Sequence, residues 1–453
     1  MRADEFSTRL SRDCMLAPGS HVLLALSGGA DSTALLCFFL EAAQRYPLVV
    51  SCAHVEHGIR GKSSQGDCAF VHLLCENKGV PLYTAHVDAP AYCRAHGCGM
   101  EDAARRLRYA FLYETAGKIG ADAIALAHHA GDQQETVLLH ALRGCDVKGL
   151  CAMRYRSGRL IRPLLDQTPK ALREYLLSIG QDWREDESNT DPAYLRNKIR
   201  HAILPEMEAA VPGAGDALVR LSRAAQRDEE YFSALLDGAD LQEIPLADGM
   251  AVPKGVIEEF HPAICSRALV RLMERAGVAV QGADVIEAVM EALRSDGAVV
   301  NLSSGAHACV GERYLCLVRT GEAIPDTRLN VPGDTQTPFG LFEVREAAAG
   351  ETGDGKRTQC MPLRVLEGAV VSSRREGDTM IPFGKHTPVK LKKLMIDAHV
   401  ERAMRRSVPL VRDGEGNVLF AVGLRSAECC RAAKDEKQMM VRFCGAWPGT
   451  DNE

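Results

Sequence analysis

The stretch HVLLALSGGADSTALLCFFLEAAQRY, His21 to Tyr46, constrains the fold more than any other feature. A short apolar run of strand length ends in two glycines and gives way to a helix-favouring segment beginning near Ser32. PLVVSCAHV from Pro47 is a second strand of the same kind, and ADAIALAHH from Ala121 a later one. Between them, MEDAARRLRYAFLYETAGKIG from Met100 reads as a helix closed by a glycine. Short apolar strands alternating with helices over the first two hundred residues predict an α/β fold with a parallel sheet.

From Pro212 to Gly297 the pattern becomes helix after helix, which predicts a helical module. Short strand-like stretches follow, with an exposed loop from Ala347. The expected organisation is a parallel-sheet domain over 1–211, a helical domain over 212–300, a linker with short strands over 301–365, and a small mixed α/β domain over 366–453. The 453 residues carry 54 Lys+Arg against 60 Asp+Glu, a net charge of −6, so a nucleic-acid partner must be held by local basic patches rather than by global attraction. Two segments offer them: Arg143–Arg173 and Lys385–Arg412 each hold eight basic residues against two acids. The second contains no Phe, Tyr or Trp, which argues against base stacking there. The 16 cysteines form no C-x-x-C pair, and many sit in apolar segments as small core residues. MRADEFSTRL lacks the apolar core of a secretory leader, and no apolar run approaches the ~20 residues that span a bilayer. The expectation is a cytoplasmic protein with no membrane association.

The loop Ser27-Gly28-Gly29-Ala30-Asp31-Ser32 carries the chemistry. Glycines let backbone amides approach an anion, serine hydroxyls add donors, and the helix start points its positive end at the same spot. Asp31 cannot donate to a phosphate; its carboxylate suits a Mg²⁺ bridging to one. An ordinary glycine turn with a Ser/Asp cap would use the same letters. There is no G-x-x-x-x-G-K-[ST] string and no G-x-G-x-x-G after a first strand, so the loop is of another type.

The hexapeptide resembles the signature of the PP-loop ATP pyrophosphatases, and further motifs narrow the resemblance to the tRNA(Ile)-lysidine synthases. His54–Arg60 (HVEHGIR), Ala104–Tyr109 (ARRLRY), AHHAGDQQETVLLHALRG from Ala127, RPLL from Arg162 and DESNTDPAYLRNKIRHAILP from Asp186 fall in that family's order. Near the C-terminus SRREGDTMIPFG from Ser373, KLKKLMIDAHVERAMR from Lys390 and VPLV from Val408 resemble its terminal domain. The chain departs from the pattern at Gly131-Asp132, where the family usually has two aspartates, at Glu56 for a usual Asn, and at Glu187 for a common Pro.

The resemblance implies conversion of the wobble cytidine of an isoleucine tRNA with a CAU anticodon to lysidine, using ATP and L-lysine. ATP-site candidates are Ser27, Gly28, Gly29, Ala30, Asp31, Ser32, His54 and His57, with Asp31 also holding Mg²⁺. Glu101, Arg105 and Arg108 share one helix face; such charges usually pair in solvent, but Arg108 suits a phosphate. His128, Asp132 and Glu135 lie at the carboxyl edge of the sheet, where Asp132-x-x-Glu135 also reads as a helix cap. The family uses matching positions around lysine and the activated base, which makes Asp31, Arg108, His128, Asp132 and Glu135 the catalytic candidates and Asp132 and Glu135 the lysine ligands. For the tRNA the candidates are Arg196, Arg200, Lys390, Lys392, Lys393 and Arg405. A homodimer is compatible with the sequence. The rivals are a PP-loop tRNA thiolase and a non-catalytic ATP-dependent RNA-binding protein.

Overall fold

The structure, a computed structural model, describes residues 3–56, 58, 62–185, 195–278, 282–319, 321, 323–433 and 436–446. The chain divides into two compact units, Met1–Tyr231 and Phe232–Glu453.

In the first unit, helix α1 (Ala3–Arg12) precedes β1 (His21–Ala25), α2 (Ala30–Ala43), β2 (Val49–Glu56), α3 (Lys62–Lys78) and β3 (Leu82–His86). Then come α4 (Ala89–His96), α5 (Met100–Lys118), β4 (Ala123–Ala125), α6 (Ala130–Leu142), α7 (Val147–Leu150), β5 (Arg156–Ser157), β6 (Leu160–Ile161), α8 (Pro169–Ser178) and α9 (Leu195–Lys198). The strand order is β3-β2-β1-β4-β6-β5, with β1 parallel to both β2 and β4. The apolar run in β1 is explained by burial on two sides. Val22 and Leu24 pack with Phe6, Leu10, Phe38 and Phe39 of α1 and α2, whereas Leu23 packs with Leu112 and Ala116 of α5. Helices thus cover both faces, and the three central side chains of β1 are buried.

Between β1 and β4 the direction of chain winding reverses. Open α/β sheets hold ligands in the crevice outside the carboxyl ends of the strands at this point. Here it is formed by the loop after β1 and the residues after β4. The strand expected over ADAIALAHH is only three residues long, so Ala127–His129 leave the sheet and are free to line the crevice.

The second unit carries helices Pro262–Arg275 and Ala283–Ala292 in the helical stretch. It also carries a five-stranded antiparallel sheet built from Ile244–Leu246, Gly249–Pro253, Val299–Asn301, Ala306–Val310 and Tyr314–Arg319. Leu269, Leu272 and Val289 pack on Ala308, Leu315 and Leu317 of that sheet. Strands from the 301–365 stretch therefore pair with strands inside the 212–300 stretch, and the two share a core. The remainder forms a five-stranded sheet (including Val370–Ser372, Leu410–Arg412 and Val418–Ala421) and a four-stranded sheet (including Gly340–Glu346 and Gln438–Phe443). Among the described residues no helix is long and apolar enough to cross a membrane.

Candidate active site

The glycine loop is organised by one hydroxyl. Ser32 Oγ accepts from the backbone N–H of Ser27 and of Gly28, both at 3.2 Å, lies 3.0 Å from Ser27 Oγ, and donates to Gly29 O at 3.1 Å. Gly28 sits at φ +91°, a left-handed backbone that favours glycine, and a Cβ there would come within 3.1 Å of Val71 Cγ2, which would have to give by a few tenths of an ångström. From outside, the backbone N–H of Arg184 donates to Gly28 O at 2.9 Å. Helix α2 begins at Ala30 rather than at Ser32, with Gly29 as a cap that supplies no side-chain acceptor. Its first-turn amides therefore face the loop without a side-chain competitor for an anion.

The loop opens on a cavity of about 440 Å³ lined by Ser27, Gly29, Asp31, Ser32, His54, Glu56, Asp67, Arg108 and His128 among others. That volume lies in the range of small-molecule sites. His54 is buried, with Nδ1 2.8 Å from Leu26 O. Arg108 Nε and His128 Nδ1 are buried without a hydrogen-bond partner among the described residues. A native protein rarely leaves such groups unpaired, and here both belong to residues facing a cavity. Burial pushes the Arg108 guanidinium below its usual range, reinforced by Arg105 and Arg196. Burial also pushes the His128 imidazole down to about 4, with Arg162, Arg196 and Arg108 adding to the effect against the pull of Asp132. His128 is thus a neutral ring at physiological pH. Asp31 is raised, chiefly by burial and by Asp132, with His129 opposing.

Beside the cavity lies a cluster of opposite charges. His129 caps α6: its Nδ1 accepts from Asp132 N–H at 3.2 Å, and its own N–H donates to Asp132 Oδ2 at 3.0 Å. The capping box expected of Asp132-x-x-Glu135 does not form: the box is made three residues earlier by His129 and Asp132, and Glu135 takes no part in it. His129 Nε2 also lies 3.6 Å from Asp31 Oδ2, joining the loop to α6. Burial alone would push the Asp132 carboxyl up; His129, His128, the His129 N–H and Arg196 outweigh it and hold the group below the usual range. The Glu135 side chain is 2% exposed and is gripped by two guanidiniums. Arg196 Nε donates to it at 2.8 Å, Arg200 Nη2 at 3.1 Å, and Arg200 Nε makes a further, shorter contact. Arg200 Nη2 also reaches Asp132 Oδ1 at 3.2 Å. Arg196 and Arg200 are four residues apart in a helical run that continues from α9 through a wider turn at Ile199–Ile203, so one face presents both guanidiniums to one carboxylate.

The sequence-derived site residues thus separate into groups. Ser27, Gly29, Asp31, Ser32, His54, Arg108 and His128 surround the cavity. Asp132 and Glu135 stand next to it, with Glu135 fully engaged by Arg196 and Arg200. His57 lies outside the described residues. In the second unit Lys390, Lys392 and Lys393 are exposed, the last two on the helix Leu391–Asp397, whereas Arg405 is half-buried and donates to Val400 O at 2.9 Å. Sequence reasoning missed Asp67, which lines the cavity and pairs with Arg184 at 3.1 Å; no motif surrounds it. It also placed His129 only at a strand end, although its position before α6 carried a capping signal. Glu56, read as a departure from a usual Asn, lines the cavity and lies 3.1 Å from His86.

The PP-loop domain family matches residues 3–207, and the TilS substrate C-terminal domain family matches residues 369–443. Over 454 aligned residues the chain is 32% identical to a tRNA(Ile)-lysidine synthase of Geobacter sulfurreducens, covering 94% of this chain and 93% of the relative. It is 38% identical over 431 residues to one from Thermus thermophilus, covering 93% and 79%. With the one from Clostridioides difficile it shares 29% over 437 residues, covering 91% and 93%.

Proposed function

The chain belongs to the tRNA(Ile)-lysidine synthase family, and from that premise we propose how its residues divide the work of joining L-lysine to C2 of the wobble cytidine in a CAU anticodon. ATP is the co-substrate. The observation that carries the reading is the cavity outside β1 and β4, in which a phosphate-type loop faces two buried nitrogens without a partner among the described residues, Arg108 Nε and His128 Nδ1.

The cytosine C2 oxygen is a poor leaving group until it is adenylated at the α-phosphate of ATP, with departure of pyrophosphate. The Ser27–Ser32 loop and the first turn of α2 hold the departing phosphates, and Arg108 stabilises the charge that builds on the α-phosphate. His54 fixes the adjoining strand end beside the nucleotide. Mg²⁺ fits this donor set: Asp31 places a carboxylate on the cavity beside the phosphate-type loop, and Mg²⁺ is characteristically held by one or two carboxylates plus substrate phosphates. Asp31 would hold it, and it would supply charge neutralisation on the phosphates.

The lysine side-chain amine then attacks C2, and AMP leaves with the former C2 oxygen. The amine must first lose a proton, since its ordinary pKa is about 10.4. His128, a neutral ring at physiological pH, orients a substrate group through Nδ1. Arg196 and Arg200 disfavour a further cation beside them and offset the pull of Asp132, so an amine delivered there gives up its ammonium proton to solvent and becomes nucleophilic. Asp132 receives the proton released as the new C–N bond forms. Glu135 acts on lysine through the arginines it positions.

The test is full-length protein with ATP, labelled lysine and two transcripts, isoleucine tRNA and methionine tRNA, both carrying CAU. Lysine enters the isoleucine tRNA alone, with AMP formed only when tRNA and lysine are present. Absence of incorporation, or AMP formation indifferent to lysine, refutes the reading.

A further inference from the structure

The second unit contains a hairpin whose strands are Thr379–Met380 and Val389–Lys390. Its tip begins Ile381-Pro382-Phe383-Gly384-Lys385-His386, and residues 383–388 are all exposed. Phe383 is 45% exposed and Ile381 40%. The tip is nonetheless firmly held. Pro382 is buried and bridges to Ala427. The N–H of Phe383 donates to Ser426 O at 2.9 Å, and that of Glu428 to Ile381 O at 2.8 Å. Gly384 N–H donates to Glu428 Oε2 at 2.6 Å. The same carboxylate grips Arg431 through Nε at 2.6 Å and Nη2 at 3.2 Å. The Arg431 guanidinium lies 4.6 Å from the centre of the Phe383 ring. The aromatic ring is thus backed by a cation that is itself fixed by an acid tied to the tip.

Nothing in the packing of the unit requires an exposed phenylalanine here. The charges around it select among occupants. Lys385 and His386 share the tip, exposed Lys390 closes the hairpin, and Lys392 and Lys393 are exposed on the following helix. Glu428, the acid at the tip, is already neutralised by Arg431. An aromatic ring among cations suits a nucleic acid, whose bases stack and whose phosphates pair, better than an apolar protein surface, which would strand those cations.

We propose that Phe383, backed by Arg431 and fixed through Glu428, is a stacking platform for an unpaired nucleobase of the tRNA, with Lys385 and Lys390 taking the flanking phosphates. This rests on the reading that the chain acts on a tRNA. The ring lies two residues before the Lys385–Arg412 segment, so the proposal places stacking outside that aromatic-free stretch.

Three variants of the full chain decide the matter: Phe383→Ala, Phe383→Leu and Phe383→Trp, each checked for an unchanged melting temperature. Titration with the isoleucine tRNA transcript is expected to show roughly 5- to 20-fold weaker binding for the Ala and Leu variants, and binding within about two-fold of the parent for Trp, its fluorescence quenched by the stacked base. Parental affinity in the Ala variant overturns the proposal. So does parental affinity in the Leu variant, which would mean apolar contact without stacking. A change in self-association with tRNA affinity intact also overturns it, and assigns the patch to a second copy of the chain. A parent protein that binds tRNA but transfers no lysine refutes the proposed activity, while the role of Phe383 is still decided by these titrations.

Discussion

Replacing Glu135 with Gln removes one charge from a buried carboxylate held by two guanidiniums. Its side chain is 2% exposed, while those of Arg196 and Arg200 are each 32% exposed. Three contacts join them, and a hydrogen bond involving a charged group contributes about 1.5–3 kcal/mol. Their sum overstates the loss, because each arginine has a third of its side chain in solvent and can turn outward. Stranding a fully buried partner costs about 3–5 kcal/mol, and halving that for the exposed guanidiniums leaves about 2 kcal/mol. In a unit of this size each kcal/mol lowers Tm by about 2–4 °C, so the transition of the first unit should fall by about 4–8 °C. The assay is thermal unfolding of Glu135→Gln, Arg200→Met and the double variant. Because Glu135→Gln removes the group that Arg200→Met would leave unpaired, the double variant should recover at least about 1 kcal/mol of the summed losses. Lysine KM should rise in both single variants. Unchanged melting in Glu135→Gln, or strict additivity in the cycle, would show that the pairing does not form in solution, and would remove the basis for assigning Glu135 a positioning role.

Asp132→Asn should raise the KM for lysine far more than that for ATP, since the change removes the carboxylate beside the arginines and leaves the glycine loop intact; unchanged lysine kinetics would sink the assignment. His128 predicts an acid limb. Its folded pKa of about 4 lies below the ordinary 6.5, so the unfolded chain takes up the proton first. Stability is therefore full above pH 6.5 and falls by up to about 3 kcal/mol as the pH drops toward 4. His128→Gln should flatten that limb in urea titrations, and an identical limb in the variant would contradict the buried neutral ring. In the second unit the Arg412 side chain, 2% exposed, is held by Asp378 Oδ1 and Oδ2 at 3.0 and 2.6 Å and by Ser372 Oγ at 2.6 Å. Asp378→Asn leaves that guanidinium without its counter-charge and should cost about 3–5 kcal/mol, read by denaturant melting, with the first unit's transition unmoved.

The parallel sheet was legible because β1, β2 and β4 are apolar runs too short for helices and separated by helix signals. The cavity was legible where one local segment carries the chemistry, as in Ser27–Ser32. It was not legible where distant segments meet. Arg196 and Arg200 reach Glu135 across 61 and 65 residues, so no spacing rule could pair the RNA-contact candidates with the lysine-contact candidate. Asp67 reaches the cavity by the placement of α3 alone. The sheet in the second unit escaped notice because Ile244–Leu246 and Gly249–Pro253 contain Pro, Gly and Ala, which carry little strand signal, and because the pair they form joins the rest of the sheet only through the distant Tyr314–Arg319.

Gly131 shows how a departure from the family pattern acquires a physical reading only in three dimensions. In sequence it is a missing carboxylate. In the structure a Cβ at that position would meet His129 Cε1 at 3.0 Å and Nδ1 at 3.2 Å. The imidazole already occupies the space into which a side chain at 131 would start to grow. From there it caps α6 through Asp132 N–H and stands 3.6 Å from Asp31. An aspartate at 131 would press on the ring, which would have to give by a few tenths of an ångström, and would place a third negative charge beside the two flanking carboxylates. Glycine at 131 accommodates the imidazole at this close approach, and the imidazole stands between Asp31 of the phosphate loop and the helix that carries Asp132 and Glu135.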